Sequence, residues 1–150
     1  MIRSFKGRVI IQGQLQGEAV VSRQGFNVLA SMQKDLMGKK STVKGSDQNN
    51  PDIYSKAISG KILCLPQTIG STTGGMVLQA AAAMDKAPLA LLFSEKIDSL
   101  AAGGVILAKV WNDRNIITVD SLGSDFLEAV SSGDKLSIDM DGTVHINKNQ

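Results

Sequence analysis

The segment Gly60-Lys61-Ile62-Leu63-Cys64-Leu65-Pro66-Gln67-Thr68-Ile69-Gly70-Ser71-Thr72-Thr73-Gly74-Gly75-Met76-Val77-Leu78-Gln79 decides how the chain is read. Residues 61–65 are an apolar run that suits a buried strand and is too short for a helix. Pro66 stops it, a turn of Gly, Ser and Thr follows, and a run of small helix-forming residues extends to Met84. A strand leading through such a turn into a helix gathers unpaired N–H groups and hydroxyls at a positive dipole end, which suits an anion. Ser71, Thr72 and Thr73 add donors, or a nucleophile or base if one is activated. Gly70, Gly74 and Gly75 permit close backbone approach. The same residues also make an ordinary capped turn. The turn is neither a Walker loop, which needs a Gly-Lys-Ser/Thr ending, nor the G-x-G-x-x-G dinucleotide fingerprint.

Outward from this segment, short apolar strands alternate with helical stretches. Leu89–Phe93 and Ile116–Val119 read as two further buried strands, and residues 94–102 as a short helix capped near Asp98 and Ser99 and closed by Gly103-Gly104. Val105–Val110 suits a strand or a further helical turn. Asp125–Val130 reads as a helix opened by Ser124. Leu136–Met140 and Thr143–Ile146 alternate around Asp141-Gly142, the strongest hairpin signal in the chain. Towards the amino terminus, residues 5–11 and 18–22 read as strands close enough to pair as a second hairpin. Residues 26–37 have roughly helical apolar spacing. Residues 38–52 form a polar loop long enough to be functional or disordered, and it is expected to be mobile in isolation. The pattern predicts one α/β domain over residues 1–150, a β/β/α arrangement with a mixed sheet, antiparallel hairpins at both ends and strand–helix units in the centre.

Composition narrows the function. With 43% apolar residues and charges of both signs spread along the chain, a folded core is expected. A net charge of +2 gives no electrostatic footprint for nucleic acid or a membrane surface, and one Trp, one Tyr and four Phe give no stacking platform. No apolar run reaches the roughly 18 residues that a bilayer requires, and the opening residues lack a signal-peptide pattern, so the expected location is cytoplasmic. One cysteine and one histidine cannot build a metal cluster. Cys64, inside an apolar strand, reads as a buried hydrophobe, and His145, on an alternating strand, as a surface or edge residue with nothing to bring it to Ser71. The chain lacks a full set of acid, base and metal ligands, which points to a module that contributes one loop to a site completed elsewhere.

The pairing of Leu65-Pro66 with Gly70-Ser71-Thr72-Thr73-Gly74-Gly75 resembles the signature of the aconitase X swivel domain, the small subunit or fused small domain of aconitase X-type dehydratases. Gly7, Gly13, Gly17, Glu18, Ala19, Val21 and Ser22 are similar to its opening pattern. Residues 94–103 and Asp141-Gly142-Thr143-Val144 resemble later parts, so the likeness covers nearly the whole chain. The resemblance implies a swivelling β/β/α fold and a heterodimer with a large catalytic subunit. That partner would hold an iron–sulfur cluster or iron, which assists the leaving hydroxyl as a Lewis acid, and this chain would bind no cofactor. It further implies that Ser71 is the catalytic base and that Gly70, Thr72, Thr73, Gly74 and Gly75 contact a small hydroxy-acid substrate. Family activities include dehydration of cis-3-hydroxy-L-proline and of phosphomevalonate. Residues 45–52 depart from the elements expected of either, which leaves the substrate open. Two readings of other classes stand beside this one: a non-catalytic anion-binding or regulatory module, and a structural homo-oligomer joined through the Ala-rich helix 79–83.

Overall fold

Gly7 divides the first extended segment in two. In the computed structural model, which describes residues 2–148, β1 (Ile2–Lys6) and β2 (Arg8–Ile11) flank it. Along the chain follow β3 (Leu15–Val21), β4 (Phe26–Asn27), α1 (Val28–Leu36), β5 (Ile62–Leu65), β6 (Thr68–Ile69) and α2 (Gly74–Ala83). Then come β7 (Ala90–Phe93), α3 (Ser99–Asn112), β8 (Ile117–Asp120), α4 (Ser124–Ala129), β9 (Lys135–Ile138) and β10 (Thr143–Asn147).

Eight strands form one sheet in the order β1-β10-β9-β3-β5-β7-β8-β2. β3, β5, β7 and β8 run parallel, and antiparallel strands flank them. The two ends of this order, β1 and β2, are halves of one segment, so the sheet curls round until its edges meet at Gly7. Only glycine fits there, because an added Cβ would lie 2.3 Å from the carbonyl oxygen of Asp120. The Gly7 N–H donates to the Gly142 carbonyl at 3.1 Å and closes the seam.

The strands around β5 are buried on both faces, which explains their unbroken apolar sequences. Side chains alternate along a strand, so Ile62 and Cys64 enter the interior of the curled sheet while Leu63 and Leu65 face the helices. Ala90 and Leu92 likewise point inside, and Leu91 and Phe93 outside. The interior is filled by Val21, Leu136, Ile138, Val144, Ile146 and Phe126 of α4. Phe126 meets Phe5 edge-on with ring centroids 5.6 Å apart. The outer core lies under α1, α2 and α3 through Met32, Leu36, Leu78, Ala81, Ala82, Val105 and Ala108. The layers are therefore sheet, sheet and helices, the expected β/β/α class.

Two local expectations are corrected. The amino-terminal strands do not pair with each other: β2 pairs with β8, and β3 lies between β9 and β5. The reason is that the second half of β3, Ala19–Val21, is apolar on both faces and is satisfied only in mid-sheet, so long-range partners displace the nearer one. The helix after Asp98 does not stop at Gly103-Gly104 but runs on to Asn112. Gly104 is a contact surface there: an added Cβ would lie 2.6 Å from the Gly75 carbonyl oxygen, where α2 and α3 cross. The carboxyl-terminal hairpin forms as expected between β9 and β10. Within the polar stretch 38–52, Val43 and Asn50 are fully buried, and Asn50 Nδ2 donates to Ser22 Oγ at 2.9 Å. No helix among the described residues is long and apolar enough to cross a membrane.

An ion pair between a buried carboxylate and a half-exposed arginine fastens the seam. Arg8 donates through Nε and Nη2 to the two Asp120 carboxylate oxygens at 3.0 and 2.6 Å, and the Ile97 N–H adds a third bond at 2.8 Å. Burial alone would raise the Asp120 pKa, yet the hydrogen bonds from Arg8, Ile97 and Ser121 and the Arg8 charge together hold it below the usual carboxylate range. A folded-state pKa lowered in this way gives stability that is full above the unfolded value of about 3.9. That stability is lost as pH falls through the folded value. Arg8→Met removes the arginine's share of the lowering, so acid unfolding followed by circular dichroism is expected to begin at a higher pH than in the unmodified chain. An unchanged acid midpoint would show that the pair contributes nothing.

Candidate active-site loop

Two segments leave the carboxyl ends of the neighbouring parallel strands β3 and β5, the end of a parallel sheet where binding loops gather. β4 follows the first and β6 the second, and the two pair in parallel, Phe26 opposite Thr68 and Asn27 opposite Ile69. The Phe26 N–H donates to the Gln67 carbonyl at 2.9 Å. This pairing sets the amino ends of α1 and α2 side by side.

Asn27 opens α1, its Oδ1 accepting the Ala30 N–H at 3.1 Å. Gly70 sits against the same side chain. Its φ of +97° and the 2.5 Å separation between an added Cβ and Asn27 Nδ2 each require glycine. Ser71 follows, half-buried. Its Oγ lies 2.8 Å from Thr73 Oγ1 and accepts the Thr73 N–H at 3.2 Å, and its carbonyl accepts the Gly74 N–H at 3.1 Å. Ser71 thus shapes the first turn of α2, whose formal cap, Thr73, makes no side-chain capping bond. A cavity of about 580 Å³ opens beside Ser71, lined by Asn27, Leu29, Ala30, Gln33, Lys34 and Met37.

The loop is held from the other side by Asp98. Its Oδ1 accepts the Thr68 N–H at 2.9 Å. Its Oδ2 accepts the Thr68 hydroxyl at 2.5 Å and the Ala101 N–H at 3.0 Å. One carboxylate therefore caps α3 and pins β6, three residues before Ser71. Asp98→Ala is expected to destabilise the chain by about 1 kcal/mol as a lost cap and to release β6. Heteronuclear relaxation is expected to show faster backbone motion at Thr68–Ser71; unchanged relaxation there would rule out the pinning.

The structure thus brings Gly70, Ser71 and Thr73 together as the sequence suggested, with Thr72 exposed beside them. Gly74 is buried, and an added Cβ on Gly75 would strike the Leu100 carbonyl oxygen at 2.5 Å, so the tight contacts of this pair are with the chain's own helices. Sequence reasoning missed Asn27, although an Asn directly before an apolar helical run is a cap signature. It found Asp98 as a cap but not its grip on Thr68, which depends on tertiary folding. His145 lies on β10, in the antiparallel half of the sheet, with Nε2 2.7 Å from Asp139 Oδ2 and Nδ1 2.7 Å from Ser4 Oγ. Cys64 is sealed in the interior, where burial first and the Asp134 charge second push its thiol pKa up. Among the described residues no group of three or more His, Cys, Asp or Glu could hold a metal ion. The donor set of this chain does not fit an iron–sulfur cluster.

Known proteins share this fold. The chain is 32% identical over 143 residues to the small subunit of phosphomevalonate dehydratase from Thermococcus kodakarensis, covering 95% of each chain. It is 28% identical to the corresponding subunit from Archaeoglobus fulgidus, covering 91% of this chain and 92% of that one. A crystal structure of the holo-form of Thermococcus kodakaraensis aconitase X superposes with a TM-score of 0.81 at 29% identity, covering 97% of this chain and 99% of that one. Residues 4–146 match the aconitase X swivel domain. The chain is a member of the aconitase X swivel domain family.

Proposed function

We propose that this chain is the small subunit of an aconitase X-type hydro-lyase, and that it supplies Ser71 as the base that starts dehydration of a small hydroxy acid. The observation that carries this reading is the Ser71 hydroxyl at the head of α2, beside an open cavity, accepting the Thr73 N–H and hydrogen-bonded to the Thr73 hydroxyl. A serine hydroxyl is a weak base, and it serves as one only where developing negative charge on Oγ is stabilised. The Thr73 N–H, the Thr73 hydroxyl and the positive end of α2 provide that stabilisation.

In the reaction, Ser71 Oγ acts as the alkoxide and takes a proton from a carbon of the substrate, and hydroxide leaves from the adjacent carbon as the carbon–carbon double bond forms. Transfer of the abstracted proton from Ser71 to that hydroxide releases water and restores the alkoxide. Gly70, Thr72, Thr73 and the Gly75 amide orient the substrate's carboxylate, and Gly74, its own N–H bonded to the Ser71 carbonyl, holds the turn that presents them. The large subunit would carry the iron–sulfur cluster or iron, which supplies Lewis-acid chemistry at the leaving hydroxyl. The sequence relatives point to a phosphorylated hydroxy acid as the first substrate to try, and a hydroxyproline is the second.

The test is anaerobic co-expression with a candidate large subunit rich in clustered cysteines, with iron supplied, followed by co-purification and an assay for loss of water from each substrate. A complex that dehydrates one of them is the expected result. Separate elution with no turnover would overturn the reading.

A further inference from the structure

α1 and α2 diverge enough to leave a groove of about 650 Å³ between them. Leu29 and Met37 form one wall, and Met76, Val77 and Met84 form the other, with no charged side chain in the lining. Met37, Met76 and Met84 are 80%, 68% and 47% exposed. Three exposed methionines around one apolar groove are the adaptable surface of a binding site, since the thioether chain repacks around a partner at low cost.

The groove is continuous with the candidate active site. Leu29, Gln33 and Met37 line both the groove and the Ser71 cavity, and Thr73, hydrogen-bonded to Ser71 Oγ, lines the groove itself. A subunit that covers the Ser71 cavity meets the groove at these shared residues. Lys34 lines the Ser71 cavity and also a neighbouring hollow, where three lysines (with Lys40 and Lys44) stand against one carboxylate, Asp35, so this rim is net basic.

We propose that the groove seats an apolar segment of the large subunit, bearing two or three large aliphatic side chains and flanked on the α1 side by acidic residues. This inference rests on the two-subunit reading given above. The exposed stripe of α3 that includes Val110 and Trp111 shares no lining residue with the Ser71 cavity and is not needed for this docking.

The test uses Met76→Glu and Met84→Glu in the full chain, two groove residues that do not line the Ser71 cavity. Both side chains are exposed, so thermal melts are expected to match the unmodified protein. Association with the large subunit is expected to weaken by at least about tenfold, as for loss of an interface anchor, and saturating large subunit restores the unmodified kcat. Unmodified affinity in both variants overturns the inference. A second measurement does not depend on those variants folding. Met84→Cys labelled with a benzophenone maleimide carries the one accessible thiol, because Cys64 is buried. Photolysis is expected to crosslink it to the large subunit, and a crosslink only to a second copy of this chain, or none in an assembled complex, overturns the inference. If the unmodified chain never joins the large subunit, the two-subunit reading fails and takes this inference with it. If chain and variants join it equally, this inference alone fails.

Discussion

Ser71→Ala in the reconstituted complex is expected to lower kcat by about 10²- to 10⁴-fold, the usual contribution of a positioned acid or base. Folding is expected to be unaffected, because the hydroxyl bonds only to Thr73 within its own exposed turn. Both bonds are exposed, and a surface substitution of this kind changes stability by no more than about 0.5 kcal/mol. Steady-state turnover of the complex and a urea melt of the isolated chain read the two quantities separately. Thr73→Val should fall between, since it removes the hydroxyl donor but keeps the N–H. Turnover within twofold of the unmodified complex would remove Ser71 from the role of base.

Gly104→Val is expected to destabilise the chain by about 3 kcal/mol, at the upper end of overpacking costs. The atoms an added Cβ would meet are the Gly75 carbonyl oxygen at 2.6 Å and the Gly75 Cα at 3.0 Å. Both are backbone, so no side chain can swing aside, and α2 must move away from α3. Because α2 begins directly after the Ser71 turn, the displacement is carried to the candidate site. Gly103 is the control. An added Cβ there meets nothing within 4 Å, so Gly103→Ala should stabilise the helix by roughly 0.5 to 1 kcal/mol. Urea unfolding of both variants gives opposite signs, and equal effects would show that the helix crossing is not the cause.

The contrast between these neighbouring glycines shows where sequence reading stops. A Gly-Gly pair after a short helical run has the appearance of a helix end, and nothing local reveals that one of the two meets a backbone 29 residues earlier in the chain. The strands were legible because burial on both faces leaves unbroken apolar runs such as Ile62–Leu65. The last hairpin was legible because Asp141-Gly142 encodes its own turn. The partners of the first two strands were not, since pairing depends on which edges remain open after the rest of the sheet has formed. Ser71 stood out through its spacing after Leu65-Pro66 and its place before a helix. Asn27 and the grip of Asp98 on Thr68 did not, because each joins segments that no local pattern connects.

The seam at Gly7 also bears on how the molecule is made. Residues 2–11 find their strand partners only within residues 117–147. On the ribosome, the parallel core of β3, β5 and β7 can assemble with α1 and α2 soon after residue 93 has emerged. The first ten residues meanwhile have nothing to pair with until the last strands appear. Such long-range closure slows folding and leaves strand edges uncovered in the interval. Emergence of β8 and β10 therefore completes the first strands as well as the later ones, and a stalled chain ending before β8 would carry an unclosed sheet for cellular quality control to detect.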